Sequence, residues 1–482
     1  MNRKFIFYLF GRIAQTVSML LLLPTVVAVL YGEMIPFWSF LGTVALSFAL
    51  GTAIAHFCKD HDNVIYAKEG FAIVAVAWLG ISLLGALPFV FSGEIPSYVD
   101  AFFETVSGFT TTGASILTNV EALSRSMLFW RSFTHWIGGM GVLVFVMAIA
   151  SNITDRSIHI MRAEMPGHVV GKLVPRAKDT AKILYLIYIA MTVVEMILLI
   201  AGGMPVFDSV LHSFGTAGTG GFGIKADSIA SYSSYCQNVI SVFMLLFGIN
   251  FNLYYLLLIG KLRTVFKSTE LWAYLGIVAS SVAIIAHNIF SIYNNVADSL
   301  KFSFFQVASV VTTTGYSTAN FDEWGGMAKG VLLLLMFFGA CSGSTAGGIK
   351  ISRIVILFKL IGREMKRLLH PRSVTSVKFE GKPLDDQTLN SVATYIAIYL
   401  VCFFGTFLII CHEPFDFETN FSAVVATINN IGPGFGKVGP NGGFSEYSAL
   451  SKIVLSGSML LGRLEIFPLL IALSPSTWKK TR

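Results

Sequence analysis

The sequence predicts an all-α membrane protein of ten transmembrane helices: two at the N-terminus, then four repeats of helix, short loop-bearing segment and helix. Three observations predict it. Of the 482 residues 54% are hydrophobic and only 13% charged, and the mean hydropathy is +0.71, more apolar sequence than a soluble domain can hide. Ten apolar stretches are long enough to cross ~30 Å of hydrocarbon, which takes about 20 residues. The tetrapeptide Thr-Thr-Thr-Gly occurs at 110–113 and again at 312–315, each time after a short amphipathic run lying between two such stretches.

The stretches are 5–31, 37–57, 70–92, 126–150, 181–203, 237–260, 270–294, 329–360, 388–412 and 449–474. Their apolar character is continuous rather than alternating, so helices and not barrel strands span. The first follows Arg3 and Lys4 as a secretory leader would, but it is too long, Arg12 interrupts it, and no small-residue cleavage site follows; it reads as a retained helix.

Basic residues orient the chain. With both termini inside, the inner side takes Arg3, Lys4 and Arg12, then Lys59 and Lys68, then Arg156, Arg162, Lys172, Arg176, Lys178 and Lys182. It also takes Lys261, Arg263 and Lys267, the nine from Lys350 to Lys382, and Lys479, Lys480 and Arg482. The outer side keeps Arg125, Arg131, Lys225, Lys301, Lys329, Lys437 and Lys452. The positive-inside rule therefore puts both termini in the cytoplasm. The net charge of +7 serves topology and anionic lipid headgroups, and no nucleic acid is called for. Cys58, Cys236, Cys341, Cys402 and Cys411 are scattered without metal-ligand spacing and read as buried apolar cysteines.

After residue 69 one pattern recurs four times. Asp100–Gly113, shifted by 108, falls on Asp208–Gly221; shifted by 202, on Phe302–Gly315; shifted by 319, on Thr419–Gly432. The units are thus 1–69 (two N-terminal helices) and the repeats 70–160, 161–266, 267–385 and 386–482. Each short run, about ten residues, is a half-membrane helix. Non-helical backbone at that depth survives only where protein or a water-filled cavity lines it, and four loops converging on one axis, a pseudo-fourfold pore, satisfy this. Helix C-terminal ends aimed at the axis favour a cation there, and carbonyls next to glycines can replace an ion's hydration shell. A lone Thr-Thr-Thr-Gly would pass as a helix cap and 429–436 alone as a turn; four at equivalent positions read as a filter.

These segments closely resemble the Trk/Ktr/HKT superfamily of potassium transporters, in particular its bacterial TrkH/TrkG branch. The pieces are F-T-T-T-G-A-S at 109–115, G-T-A-G-T-G-G-F-G at 215–223, T-T-T-G-Y-S at 312–317, N-N-I-G-P-G-F-G at 429–436 and G-A-C-S-G-S-T-A-G-G-I-K at 339–350. The likeness runs the whole length. It implies uptake of potassium ion across the bacterial inner (cytoplasmic) membrane, a homodimer, and a cytosolic TrkA-like ring of nucleotide-binding subunits docked beneath. By the resemblance, carbonyls and hydroxyls of Thr111 and Thr112, Thr219 and Gly220, Thr313 and Thr314, and Asn430 and Ile431 would coordinate the ion, with Gly113, Gly221, Gly315 and Gly432 as the filter glycines. Related sodium-selective members carry serine at the first of these; Gly113 favours potassium.

The run Gly339–Lys350, with Gly343, Gly347 and Gly348, breaks the stretch 329–360. Gly343 and Gly348 have the outer spacing of a phosphate-binding loop, but Ile349 separates Gly348 from Lys350 and no strand precedes. Its place after the third pore loop, and the resemblance, make it an intramembrane gate. Lys350 either repels ions at the inner mouth or snorkels to headgroups. Arg463 lies within the last apolar stretch, where a charge is costly and functional by default; the alternatives are an ion pair with Glu465 or a headgroup contact, while the resemblance makes it an electrostatic barrier below the filter. Glu104 and Asp208 would either enrich cations at the mouth or cap helices. His135 and His212 read as satisfied structural histidines.

The basic connections 153–182 and 350–382 are the natural surfaces for a cytosolic partner. The competing reading is a sodium- or proton-coupled cation symport, which calls for an inverted repeat and paired intramembrane carboxylates; the repeats run in one sense and the embedded acids are chiefly Glu195 and Glu465. No His-Glu-x-x-His or Gly-x-Ser-x-Gly motif supports an enzyme.

Overall fold

The computed structural model describes residues 2–60, 67–141, 177–373 and 375–478. The basic residues Arg156, Arg162, Lys172, Arg176, Lys479, Lys480 and Arg482, the end of the stretch 126–150, the boundary at 160 and most of the expected docking loop 153–182 lie outside these.

Among the described residues the regular structure is helical apart from one short hairpin. Among the described residues six helices are long and apolar enough to cross a membrane: Arg3–Leu30, Met34–Phe57, Lys68–Ser92, Asp179–Ala201, Thr269–Tyr293 and Asp386–Ile410. The first of these is α1 (Arg3–Leu20) continued by α2 (Leu22–Leu30), followed by α3 (Met34–Phe57), α4 (Ala67–Gly85) and α5 (Leu87–Ser92).

A short helix falls at each of the four positions that the sequence shifts align. Repeat 1 has the short helix α6 (Tyr98–Phe109) and then α7 (Arg125–Gly139). Repeat 2 has α8 (Ala177–Ala201), the short α9 (Val206–Gly218), α10 (Ser234–Phe247), α11 (Phe251–Leu258) and α12 (Leu262–Phe266). Repeat 3 has α13 (Thr269–Tyr293), the short α14 (Val296–Val311), α15 (Gly326–Phe338) and α16 (Ile351–Leu369). Repeat 4 has α17 (Asp386–Ile410), the short α18 (Phe417–Ile428), α19 (Ala449–Arg463) and α20 (Phe467–Leu473). Polar N-caps set the starts: Ser97 accepts from the Asp100 amide, Ser124 from Met127, Ser233 from Cys236 and Ser448 from Ser451, each satisfying an orphan donor of the first turn.

Of the ten stretches, 329–360 is broken at its glycine-rich run as the sequence predicts, whereas 237–260 and 449–474 are broken against the expectation of uninterrupted spans. Stretch 237–260 bends by 90° between α10 and α11, at Gly248-Ile249-Asn250. Stretch 329–360 is cut into α15 and α16 by the glycine-rich run. Stretch 449–474 is interrupted by Glu465 and Ile466, with φ of 51° and 70°. In each case the apolar count is high enough for a span, but backbone dihedrals outside the helical region end the helix. The short helices are longer than the ten residues expected, at 12, 13, 16 and 12 residues.

Between α16 and α17 a two-stranded hairpin pairs Lys378 with Pro383 and Phe379 with Lys382. Its turn, Glu380-Gly381, has φ of 49° and 74°, the left-handed pair that a tight hairpin turn demands. Val377 and Phe379 bury against Ile356 of α16 and Leu389 and Val392 of α17.

Candidate functional site

The four short helices end in one and the same way. Thr111, Thr313 and Asn430, each just after its C-cap, and Thr219, which is the C-cap itself, are left-handed, with φ of 55°, 58°, 56° and 54°. The next amide, of Thr112, Gly220, Thr314 or Ile431, reaches back to the carbonyl of Ser107, Gly215, Ser309 or Ala426 at 2.9, 2.8, 2.8 and 2.9 Å. This is the Schellman closure, which glycine usually occupies. A side chain there costs about 1–3 kcal/mol and persists where surroundings hold it. Here the side chains supply the hold: Thr111 and Thr219 donate to the carbonyls of Thr110 and Gly218 at 2.7 and 2.6 Å, and Asn430 donates to Thr112 Oγ1 and the Met459 carbonyl, both at 2.9 Å.

Two residues further on stand Gly113, Gly221, Gly315 and Gly432, with φ of 80°, 75°, 87° and 97°. Each is pressed against the next loop. A β-carbon on Gly113 would fall 2.1 Å from the Gly220 oxygen, on Gly221 1.8 Å from that of Thr314, on Gly315 2.0 Å from that of Ile431, and on Gly432 2.8 Å from that of Thr112. The carbonyls so met share one register, and the contacts run from loop 1 to 2, 2 to 3, 3 to 4 and 4 back to 1. The loops therefore close a ring, lined by carbonyls and admitting no side chain between neighbours. Above it opens a vestibule of ≈ 600 Å³ that touches all four glycines. All twelve residues expected at the filter lie in these four loops.

The run Gly339–Lys350 packs against loops 3 and 4, Gly347 meeting Thr313, Asn429 and Asn430. Positive φ at Gly339, Gly343, Gly348 and Lys350 turns it back on itself. Phe251 donates to the Gly343 carbonyl at 3.0 Å, Cys341 to the Gly248 carbonyl at 3.1 Å, and Thr345 to the Phe247 carbonyl at 3.3 Å. Backbone groups freed by the 90° bend thus find partners, as a break at membrane depth requires. The Gly347 amide donates to Thr313 Oγ1 at 2.7 Å. A cavity of ≈ 50 Å³ lies here against Met140, Ala346, Gly347, Lys350 and Arg463.

Arg463 donates to the carbonyls of Thr345 at 2.7 Å, Gly138 at 2.5 Å and Gly139 at 2.6 Å. The alternative of a pair with Glu465 is overturned, because that carboxylate binds Arg353, whose guanidinium also stacks 4.0 Å from the Tyr395 ring. Snorkelling by Lys350 is overturned too: its ammonium is buried and donates to the Ala346 carbonyl. Glu270 at the start of α13 accepts from the amides of Ser342 at 2.6 Å and Ser352 at 3.2 Å. Glu380 of the hairpin accepts in turn from Ser268 Oγ and the Glu270 amide, each at 3.0 Å.

Glu104 does not face the mouth. It is buried behind loop 1, accepting from Arg131 at 2.6 Å, Ser115 Oγ at 2.9 Å and the Ile116 amide at 3.0 Å. Asp208 accepts from Tyr232 at 2.8 Å, so neither acid lines the vestibule; Asp322 and Glu446 do. His212 is satisfied by Tyr316 and Tyr232, each 3.3 Å away. His135 departs from expectation: it is buried against Gly218 and Gly220 with no hydrogen bond to either ring nitrogen among the described residues. Glu195 is fully buried on α8. Sequence reasoning missed Arg131, Glu270 and Arg353, whose partners are 27, 72 and 112 residues away; an ionisable residue in an apolar stretch was the signal available.

Comparison with known proteins gives a consistent picture. The chain matches the TrkH family, described as cation transport protein, over residues 38–272 and 255–480. It is 37% identical to the Trk system potassium uptake protein TrkH of Salmonella typhimurium, covering 95% of this chain and 96% of that one. It is 32% identical to the Trk system potassium uptake protein TrkG of Escherichia coli, covering 97% of each. The crystal structure of the potassium transporter TrkH from Vibrio parahaemolyticus superposes with a TM-score of 0.89 at 32% identity, covering 99% of this chain and 100% of that one.

Proposed function

The chain belongs to the TrkH family of cation transport proteins, and from that premise we propose that it takes up potassium through the ring of four loops. It is a transport protein, not an enzyme. The observation that carries the reading is the left-handed residue followed two positions later by glycine, repeated in four loops that abut in a ring. Such a ring offers carbonyls at one register to a dehydrated cation, and the helix C-termini behind it favour positive charge.

In this reading Thr111, Thr112, Thr219, Gly220, Thr313, Thr314, Asn430 and Ile431 coordinate potassium, and Gly113, Gly221, Gly315 and Gly432 let the loops close. The run 339–350 and Arg463 form the gate. The protein has ten spans when each broken stretch counts once, both termini in the cytoplasm of a bacterium, and pore repeats at 70–160, 161–266, 267–385 and 386–482 after the two helices of 1–69. Two copies assemble in the inner membrane among anionic lipids, with a TrkA-like nucleotide-binding ring on the cytosolic side.

Rubidium and sodium flux into proteoliposomes tests this. Wild type should pass rubidium well ahead of sodium. Gly113→Ser puts a β-carbon on the Gly220 carbonyl and should erode that preference. Equal wild-type rates for the two ions would overturn the potassium assignment.

A further inference from the structure

The position of Glu104 in α6 recurs, by the same shifts, as His212, Gln306 and Ala423. A charge stands there in repeat 1 and in no other. Its counter-ion, Arg131 of α7, is 4% exposed, against 1% for Glu104. Arg131 does not stop at Glu104. Its other arm donates to the Gly223 carbonyl at 2.8 Å, and its guanidinium lies 3.6 Å from the centre of the Phe222 ring. Glu104, for its part, holds the hydroxyl of Ser115 and the amide of Ile116. One buried ion pair thus grips loop 1 three residues past Gly113 and loop 2 two residues past Gly221.

Other boundaries between repeats are bridged further out. Lys329 lies 2.9 Å from Asp322 and 3.1 Å from Glu418, and Asp322 accepts from the Gly436 amide at 3.1 Å. Lys452 joins Asp100 at 2.6 Å to the Ser445 carbonyl at 3.0 Å. The Lys329 partners are a quarter to a half exposed, and such pairs contribute little. Arg131 is buried almost completely at the vestibule wall, the planar fork matches its acceptors, and removing one member strands a charge.

We infer that Glu104 and Arg131 are positioning residues for ion selectivity: they set the separation of loops 1 and 2, and with it the size of the carbonyl ring. Neither touches the ion. The inference rests on the potassium reading above. A ring held at one width discriminates by size, and a ring free to contract admits the smaller sodium ion on equal terms.

The test is the rubidium-to-sodium flux ratio in proteoliposomes, read with the thermal midpoint of the purified protein, for Glu104→Gln, Arg131→Lys, the double variant Glu104→Gln/Arg131→Gln, and Phe222→Leu. Lysine can reach Glu104 or Gly223 but not both, and Phe222→Leu removes the platform while leaving every charge in place. The ratio should fall about tenfold in Arg131→Lys, the factor that about 1.4 kcal/mol of differential binding corresponds to. It should stay low in the double variant even where neutralisation restores the midpoint, fall less in Phe222→Leu, and hold in Lys329→Gln. Folded Arg131→Lys and Phe222→Leu proteins with the wild-type ratio would overturn the inference. A midpoint that drops while the ratio holds would do the same, leaving the pair a purely structural role. An unselective wild type would instead fail the potassium reading itself.

Discussion

Thr313 Oγ1 accepts a hydrogen bond from the Gly347 amide at 2.7 Å, joining the third loop of the ring to the glycine-rich run. Both groups are buried. Thr313→Val keeps the shape and removes the acceptor, stranding the Gly347 amide at about 1–3 kcal/mol. That cost falls on the arrangement with the run in place, so displacement of the run becomes easier. Rubidium flux without any partner should rise several-fold in Thr313→Val and stay near wild type in Thr313→Ser. Lower flux together with altered selectivity in the valine variant would mean that the hydroxyl serves the ion rather than the run.

Arg463 ties α19 to the Thr345 carbonyl of the run and to the Gly138 and Gly139 carbonyls at the end of α7. In the proposed gate this guanidinium both repels cations and latches the run. Arg463→Ala should raise rubidium flux, and Arg463→Lys should raise it less because a single ammonium cannot reach all three carbonyls. Unchanged flux at normal membrane levels would remove Arg463 from the gate.

The hairpin reaches the same run through two carboxylates. Glu380 holds the start of α13 through Ser268 and Glu270, and Glu270 holds Ser342 at the start of the run and Ser352 at the first turn of α16. Carboxylates at helix N-termini are favourable through the amides they accept from and the helix dipole. Glu270→Ala should raise unstimulated flux, and Glu380→Ala should act in the same direction more weakly, since it perturbs Glu270 only through the backbone. Opposite signs for the two variants would show that no such linkage operates.

Arg353 and Glu465 are 7% and 8% exposed. Breaking a buried pair by removing one charge costs about 3–5 kcal/mol, whereas removing both is often close to neutral. Glu465→Gln should therefore lower the thermal midpoint sharply, and Arg353→Met/Glu465→Gln should recover most of the loss. If the double variant is no more stable than the single one, the pair is not what holds Leu464–Ile466 in place.

The architecture is legible because it is written in composition and in a segment that recurs four times. Glycines 113, 221, 315 and 432 could be aligned without coordinates. The left-handed residue two positions before each could not, because threonine and asparagine there defy local propensity and are held by tertiary bonds such as that from Asn430 to Thr112, 318 residues away. The breaks at 248–250 and 464–466 were hidden for a related reason: hydropathy registers side chains, whereas these interruptions lie in the backbone. Charges misled where the partner was remote. In sequence Arg463 has Glu465 as its nearest candidate partner, and Glu104 reads as a mouth charge or a helix cap, since no sequence rule brings Arg353 to Glu465 or Arg131 to Glu104.

Outside the spans, Glu413 follows α17 and accepts from the Ser448 amide at 2.9 Å, at the N-terminus of α19. Burial pushes its carboxyl up, but hydrogen bonds from Ser448 and Ser451 and the nearby His412 pull it below the ordinary 4.5. A carboxyl with a depressed folded-state pKa adds stability that is present above its unfolded pKa and is lost as pH falls through the folded value. Glu413→Gln forgoes that contribution at neutral pH and has nothing to lose in acid. The wild type should thus melt above Glu413→Gln at pH 7, and the gap should close as pH drops below about 4.5. A gap that stays constant down to strongly acidic pH would mean that the carboxylate charge plays no part in anchoring α19.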